Sequence, residues 1–211
     1  MKETRVSFLS GGLVLEGILG IPEGAGPLPA IVICHPHPLY GGSMDNNVIS
    51  SVCKALTRAS IISFKFNFRS VGGSQGEFSQ GIGEQEDVEA AISFIRTVKE
   101  IDSHRIGLAG YSAGAGFGLP VGFNDDRIRA LAAVSPPLSM FDFDFLKSCP
   151  KPKLLISGSR DDLIPTDDFL KFCQSLSEPK ECEIVERADH FWWGYESGLA
   201  DRVTAFFTKV L

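Results

Sequence analysis

Arg105-Ile-Gly-Leu-Ala-Gly110-Tyr111-Ser112-Ala113-Gly114-Ala-Gly-Phe-Gly-Leu-Pro120 is the stretch on which the reading of this chain turns. Its first half is a short apolar run of the kind that fills a buried strand. Its second half is built from small residues that let a helix pack tightly against a sheet. Between them Gly110-Tyr111-Ser112-Ala113-Gly114 matches G-x-S-x-G, which places a serine on a sharp strand-to-helix turn. The pattern alone is weak, because Gly72-Gly73-Ser74-Gln75-Gly76 matches it as well. Context separates the two. Ser74 runs into Glu77-Phe-Ser-Gln-Gly-Ile-Gly83, which cannot start a stable helix, so it reads as a turn serine. Ser112 is the nucleophile candidate.

The same alternation extends in both directions. Val6–Leu9 and Leu13–Leu19 flank Ser10-Gly11-Gly12, an N-terminal hairpin signal. Apolar runs at 30–34, 61–66, 105–110, 130–135 and 153–157 read as buried strands, with 183–185 as a last one. Val88, Ala91, Ile92, Ile95 and Val98 share one helical face, as do Phe169, Cys173 and Leu176, and Leu199, Val203, Phe206, Phe207 and Val210. A hairpin followed by alternating β and α predicts an α/β fold. Its central sheet is mostly parallel with helices on both faces, and its chemistry lies at the carboxyl ends of the strands.

A serine hydroxyl needs a base within reach, and the base needs an orienting carboxylate. The chain has 4 histidines. His104 lies in the polar stretch Asp102-Ser-His-Arg105 and reads as a solvated turn residue. His190, in Ala188-Asp-His-Phe-Trp-Trp193, is the one placed to reach back from a late loop. Asp161 leaves the strand at 153–157 within Gly158-Ser-Arg-Asp-Asp-Leu-Ile-Pro165 and is the acid candidate. Asp162 and Asp189 are its alternatives, and Asp167 and Asp168 read as the capping start of the next helix.

The order Ser112, Asp161, His190 and these motifs resemble the α/β-hydrolase superfamily. His35-Pro-His37-Pro-Leu-Tyr-Gly-Gly-Ser-Met44 and Phe66-Asn-Phe-Arg69-Ser-Val-Gly-Gly73-Ser resemble its small, lidless esterases related to dienelactone hydrolase. The likeness runs from about Val6 to Val210. Ser70 stands where that group usually has Gly, a local turn variation. Ser112 stands where dienelactone hydrolase itself uses Cys, and a Ser there also argues against a haloalkane dehalogenase. The resemblance implies a serine hydrolase that cleaves small acyl esters through an acyl-enzyme and needs no cofactor. It implies one oxyanion donor at the N–H of Ala113. The other comes from the loop after the strand at 30–34. Pro36 and Pro38 lack an N–H, which leaves His37, Leu39 or Tyr40. The superfamily pattern favours His37, and Leu39 stays open. Rival readings are a ligand-binding protein of the same fold without catalysis, or a thioesterase, lactonase or peptidase.

His35-x-His37 has metal-ligand spacing, but no HExxH and no cysteine cluster accompanies it, so no metal is expected. His35 reads as a packing residue, and Arg69 as half of a structural ion pair rather than a carboxylate binder. The connection from Pro136 to Pro152 is too short for a cap domain. The site is therefore expected to be open and lined by aromatics: Tyr40, Phe141, Phe143, and Trp192 or Trp193. Core packing is the competing use of these rings.

Composition bounds the rest. The chain has 211 residues, 44% hydrophobic and 22% charged, which reads as one globular domain over 1–211. A net charge of −6 argues against nucleic acid or an anionic membrane as partner. A small-molecule substrate, and a monomer or homodimer, are expected. Five scattered cysteines without a CxxC pair read as reduced, mostly buried thiols of a cytoplasmic protein. The start, MKETRVSFLSGG, lacks a signal-peptide core. The 16 Phe against 3 Tyr and 2 Trp favour dry contacts.

Overall fold

The computed structural model describes residues 2–24 and 26–211. Strands β1 (Lys2–Ser10) and β2 (Leu13–Ile21) form the expected antiparallel hairpin, turning at Gly11 and Gly12 with φ 54° and 91°. β3 (Leu28–Cys34), α1 (Asn47–Arg58), β4 (Ile62–Phe66), α2 (Ile82–Ile95), β5 (Ile101–Tyr111), α3 (Ala113–Asn124) and β6 (Ile128–Val134) follow. β7 (Lys153–Gly158), α4 (Thr166–Ser175), β8 (Lys180–Val185) and α5 (Glu196–Val210) complete the chain. The eight strands make one sheet in the order β1-β2-β4-β3-β5-β6-β7-β8. β2 pairs antiparallel with β4, and every pairing from β4 through β8 is parallel. This is the arrangement expected from the alternating pattern, with no cap inserted. Between β6 and β7 the described chain forms only a 3-10 turn at Asp144–Ser148.

Two cores explain the layers. α1 and α5 bury Val48, Val52, Leu56, Leu199, Val203 and Phe207 against one face. α2, α3 and α4 bury Val88, Ile92, Phe117, Leu119 and Phe169 against the other. β4 is buried on both faces, as a central strand of a covered sheet must be. Much of the phenylalanine excess sits in the second core. Phe8 packs edge-on against Phe64 and Phe66 at 5.6 and 5.7 Å and stacks on Phe94 at 5.4 Å. Among the described residues no helix is long and apolar enough to cross a membrane.

Several local expectations are corrected. His104 is exposed but extended, in a part of β5 that bulges out between the Leu28–Ile101 and Ala30–Ile106 pairs. α2 starts at Ile82, inside the stretch read as unable to begin a helix. Glu84 makes this possible by reaching back to the Gly81 N–H at 2.7 Å. Asp167 and Asp168 lie in the first turn of α4 rather than capping it, since Pro165 holds the cap position. There they complement the helix dipole. Arg69 binds the fully buried Asp87 at 2.8 Å, and Ser10 donates to the same carboxylate at 2.6 Å. That is the structural pairing expected for Arg69.

Candidate active site

β5 delivers Ser112 to the carboxyl edge of the sheet, and α3 starts on the next residue. Ser112 sits at φ 53° and ψ −125°, a region that L-residues rarely occupy. The two flanking glycines make the turn possible. A Cβ at Gly110 would collide with the backbone of Ala115, and one at Gly114 with the carbonyl oxygens of Cys34 and His35. α3 can therefore press its N-terminus against the end of β3 only with glycine at both positions. Ser74, the rival match, has its hydroxyl spent on the turn. It donates to the Asn67 carbonyl at 2.7 Å and accepts from the Glu16 N–H at 3.1 Å.

The loops after β7 and β8 bring Asp161 and His190 to Ser112. His190 Nε2 lies 3.0 Å from Ser112 Oγ, and Nδ1 lies 3.0 and 2.9 Å from the two Asp161 oxygens. An ionised carboxylate only accepts, so it fixes the proton on Nδ1 and leaves Nε2 as an acceptor for the serine hydroxyl. Asp161 is itself held by the Leu163 N–H at 3.0 Å. The Tyr111 hydroxyl donates to the His190 carbonyl at 2.7 Å, pinning the histidine loop to the strand that carries Ser112. Burial, with the charges of Asp161 and Asp189 adding to it, holds the Tyr111 hydroxyl above the usual phenol range, so it remains a donor. Asp162 is exposed, and Asp189 accepts from the Phe191 N–H in a local turn.

Two N–H groups in the segments that meet at Ser112 are left without a partner among the described residues. Ala113 is the first residue of α3, and a helix leaves its first N–H groups unpaired. In the loop after β3 the three candidates separate. The Leu39 N–H is turned onto His37 Nδ1 at 3.2 Å, and the Tyr40 N–H donates to the His37 carbonyl at 3.1 Å. This removes Leu39 from the donor set. The His37 N–H has no partner among the described residues.

His35 explains why that peptide is held in place. It is fully buried, its Nδ1 donates to the Pro36 carbonyl at 2.6 Å, and its Nε2 accepts from the Phe68 N–H at 3.1 Å. The Pro36 carbonyl and the His37 N–H belong to one peptide unit, so His35 orients the donor directly. Both ring nitrogens of His35 are occupied by these bonds, so neither is free as a metal ligand in this arrangement. Among the described residues no group of three His, Cys, Asp or Glu side chains could hold a metal ion.

Burial pushes the His35 imidazole down from 6.5 to about 4, opposed by its bond to Pro36. Between those values the unfolded chain binds the proton and the folded one does not. The stability that His35 contributes is therefore present above pH 6.5 and is lost on acidification toward pH 4. About 2 kcal/mol should disappear between about pH 7 and about pH 5. Urea unfolding of wild type and His35→Gln at both pH values should show the gap between them narrowing by that amount on acidification. Parallel pH dependences would contradict it.

The serine opens into a cleft of about 320 Å³. Its walls include Pro36, His37, Tyr40, Tyr111, Leu163 and Phe191, with Gly41, Gly42 and Asn46 completing the rim. Of the aromatics expected there, Tyr40 is present. The others are corrected. Phe143 is 2% exposed and Trp192 0%, both in the core. Phe141 lies over Gly116 and meets Phe117 edge-on at 5.3 Å. Trp192 turns inward because its φ is 61° and its Nε1–H reaches the buried Ser135 hydroxyl at 3.1 Å. Trp193 is exposed but does not line the cleft. Leu163 and Phe191 are unforeseen members with exposed apolar surface. Their sequence signal is adjacency, since each lies within two residues of Asp161 or His190.

No family model matches the chain. It is 33% identical over 172 residues to the uncharacterized protein RP471 of Rickettsia prowazekii, covering 78% of this chain and 72% of that one. Among solved structures, an α-β serine hydrolase homologue from Coxiella burnetii shares 30% identity. It has a TM-score of 0.86, with 97% of each chain covered. XC6422 from Xanthomonas campestris, described as an α/β serine hydrolase without lid, shares 26% identity. Its TM-score is 0.88, with 100% of this chain and 96% of that one covered.

Proposed function

We propose that this chain, which belongs to the α/β-hydrolase superfamily and is a hydrolase, cleaves small neutral acyl esters through an acyl-enzyme on Ser112. The observation that carries the reading is the hydrogen-bonded chain Ser112–His190–Asp161 at the floor of an open cleft.

In this mechanism Ser112 Oγ attacks the ester carbonyl while His190 Nε2 takes its proton. Asp161 holds the imidazole in the accepting tautomer and stabilises the imidazolium that forms. The N–H groups of Ala113 and His37 receive the developing oxyanion. His190 returns the proton to the departing alkoxide, which leaves as the alcohol. A water then loses a proton to His190 and attacks the acyl carbonyl; the acyl C–Oγ bond breaks, the acid leaves, and His190 returns the proton to Ser112 Oγ.

Two features of the cleft support small neutral esters. Its volume of about 320 Å³ is at the low end for ligand sites. Among the described residues that line it there is no Lys, Arg, Asp or Glu, while Tyr40, Leu163 and Phe191 offer exposed apolar surface. An anionic acyl group would lose its hydration there without gaining a counter-charge. Initial rates on p-nitrophenyl acetate, butyrate, decanoate and hemisuccinate test this. The two short neutral esters should give kcat/KM at least about 10-fold above the hemisuccinate. Equal or faster turnover of the anionic ester would contradict the substrate class, and no turnover of any ester would contradict the reaction.

A further inference from the structure

Apart from Ser112, the nucleophilic side chains of this chain include its cysteines, and most are shielded. Cys34 and Cys53 are buried in apolar cores, and burial pushes the Cys53 thiol up to about 12. Cys173 and Cys182 differ from these. Cys173 is on the buried face of α4, and Cys182 is exposed on β8, the strand beside β7 at the edge of the sheet. Both line one open groove of about 420 Å³, together with Leu170, Gln174, Glu178 and Lys180. The two thiols share this groove and are near enough to influence each other's ionisation. A hydrogen bond from Cys173, with the Lys180 charge assisting against burial, holds the Cys182 thiol below its usual range. The same hydrogen bond, with burial, pushes the Cys173 thiol up. One thiol is therefore reachable from solvent, with a second, shielded one lining the same groove. That is the division of labour between an attacking and a resolving cysteine.

We propose that Cys173 and Cys182 form an oxidisable dithiol that hydrogen peroxide converts to an intramolecular disulfide. The Cys182 thiolate attacks one peroxide oxygen and the O–O bond breaks. This leaves a sulfenic acid on Cys182, and the departing hydroxide takes up the proton that the thiol had released, giving water. The Cys173 sulfur then attacks the Cys182 sulfur and the S–O bond breaks. The second hydroxide leaves with the Cys173 proton as water. The two thiols are oxidised by two electrons in total, and the peroxide is reduced to two waters. The bridge would tie α4, which follows the Asp161 loop, to β8, which precedes the His190 loop. It would close a short loop of the chain.

The test uses the full-length native protein, treated with hydrogen peroxide and then blocked with N-ethylmaleimide. Tryptic digestion should join the peptides covering residues 172–180 and 181–187, and the pair should weigh about 2 Da less than the two reduced peptides together. The oxidised protein should melt about 5 °C higher, a gain reversed by dithiothreitol. In Cys173→Ser the sulfenic acid should persist on Cys182 and be trapped by dimedone, whereas Cys182→Ser should leave Cys173 unoxidised. The second variant changes an exposed residue and does not depend on repacking the core. Cys182 carrying a sulfinic or sulfonic acid while Cys173 is still alkylated would overturn the proposal. So would two unmodified cysteines after treatment. Oxidation should proceed equally in Ser112→Ala, so this result is independent of the hydrolase reading.

Discussion

Ser112→Ala is expected to lower kcat on p-nitrophenyl acetate by about 10⁴-fold or more, with the melting temperature little changed. The hydroxyl opens into the cleft and has its proton within reach of the His190 imidazole, 3.0 Å from Nε2. Removing it leaves the two N–H groups and the cleft intact, which supports only the residual rate such sites give without a nucleophile. The fold should survive, because the elbow conformation depends on Gly110 and Gly114 rather than on the hydroxyl. Near-wild-type turnover in this variant would place the reaction elsewhere.

Asp161→Asn should cost nearly as much, on the order of 10³- to 10⁴-fold in kcat. The amide is nearly isosteric, so packing is preserved, but it offers an N–H where the carboxylate offered only oxygens. His190 Nδ1 would then have to accept, moving its proton to Nε2 and presenting a donor to Ser112. Asp162→Asn is the control. Asp162 is exposed, while Asp161 meets His190 Nδ1 at 2.9 Å. Its variant should stay within about two-fold of wild type. The reverse ranking would move the acid by one position.

These residues could be found in the sequence because each sits where a buried strand stops, and strand ends are marked by abrupt changes in composition. The apolar run before Ser112, the run before Asp161 and the aromatic loop after the last strand each carry that mark. The hairpin, the parallel strands and α2, α4 and α5 were legible for the same reason. α1 is less legible, although Val48, Ile49, Val52, Cys53 and Leu56 carry helical spacing. Polar Ser50 and Ser51 interrupt the apolar signal, and the Gly- and Asn-rich stretch before it reads as loop.

The walls of the cleft were harder to read, because a ring's direction depends on backbone turns that composition does not encode. In Phe141-Asp-Phe143-Asp-Phe145 the alternation suggests an exposed rim. Phe143 is instead buried in the core, packed between Phe141 and Phe145. Phe191 and Trp192 are neighbours with opposite fates, one 58% exposed and the other fully buried. The positive φ at Trp192 decides which ring meets solvent. The donor loop is equally illegible from composition. Only the placement of the His37 ring shows that the Leu39 N–H is occupied.

A fluorophosphonate probe tests the central claim most directly, because it forms a stable bond only with a serine that a neighbouring base has activated. The wild-type protein should take up one phosphonyl group, and peptide mapping should place it on Ser112. His190→Ala should abolish the labelling. An unlabelled wild-type protein, or a label found on Ser74 or any other residue, would contradict the account.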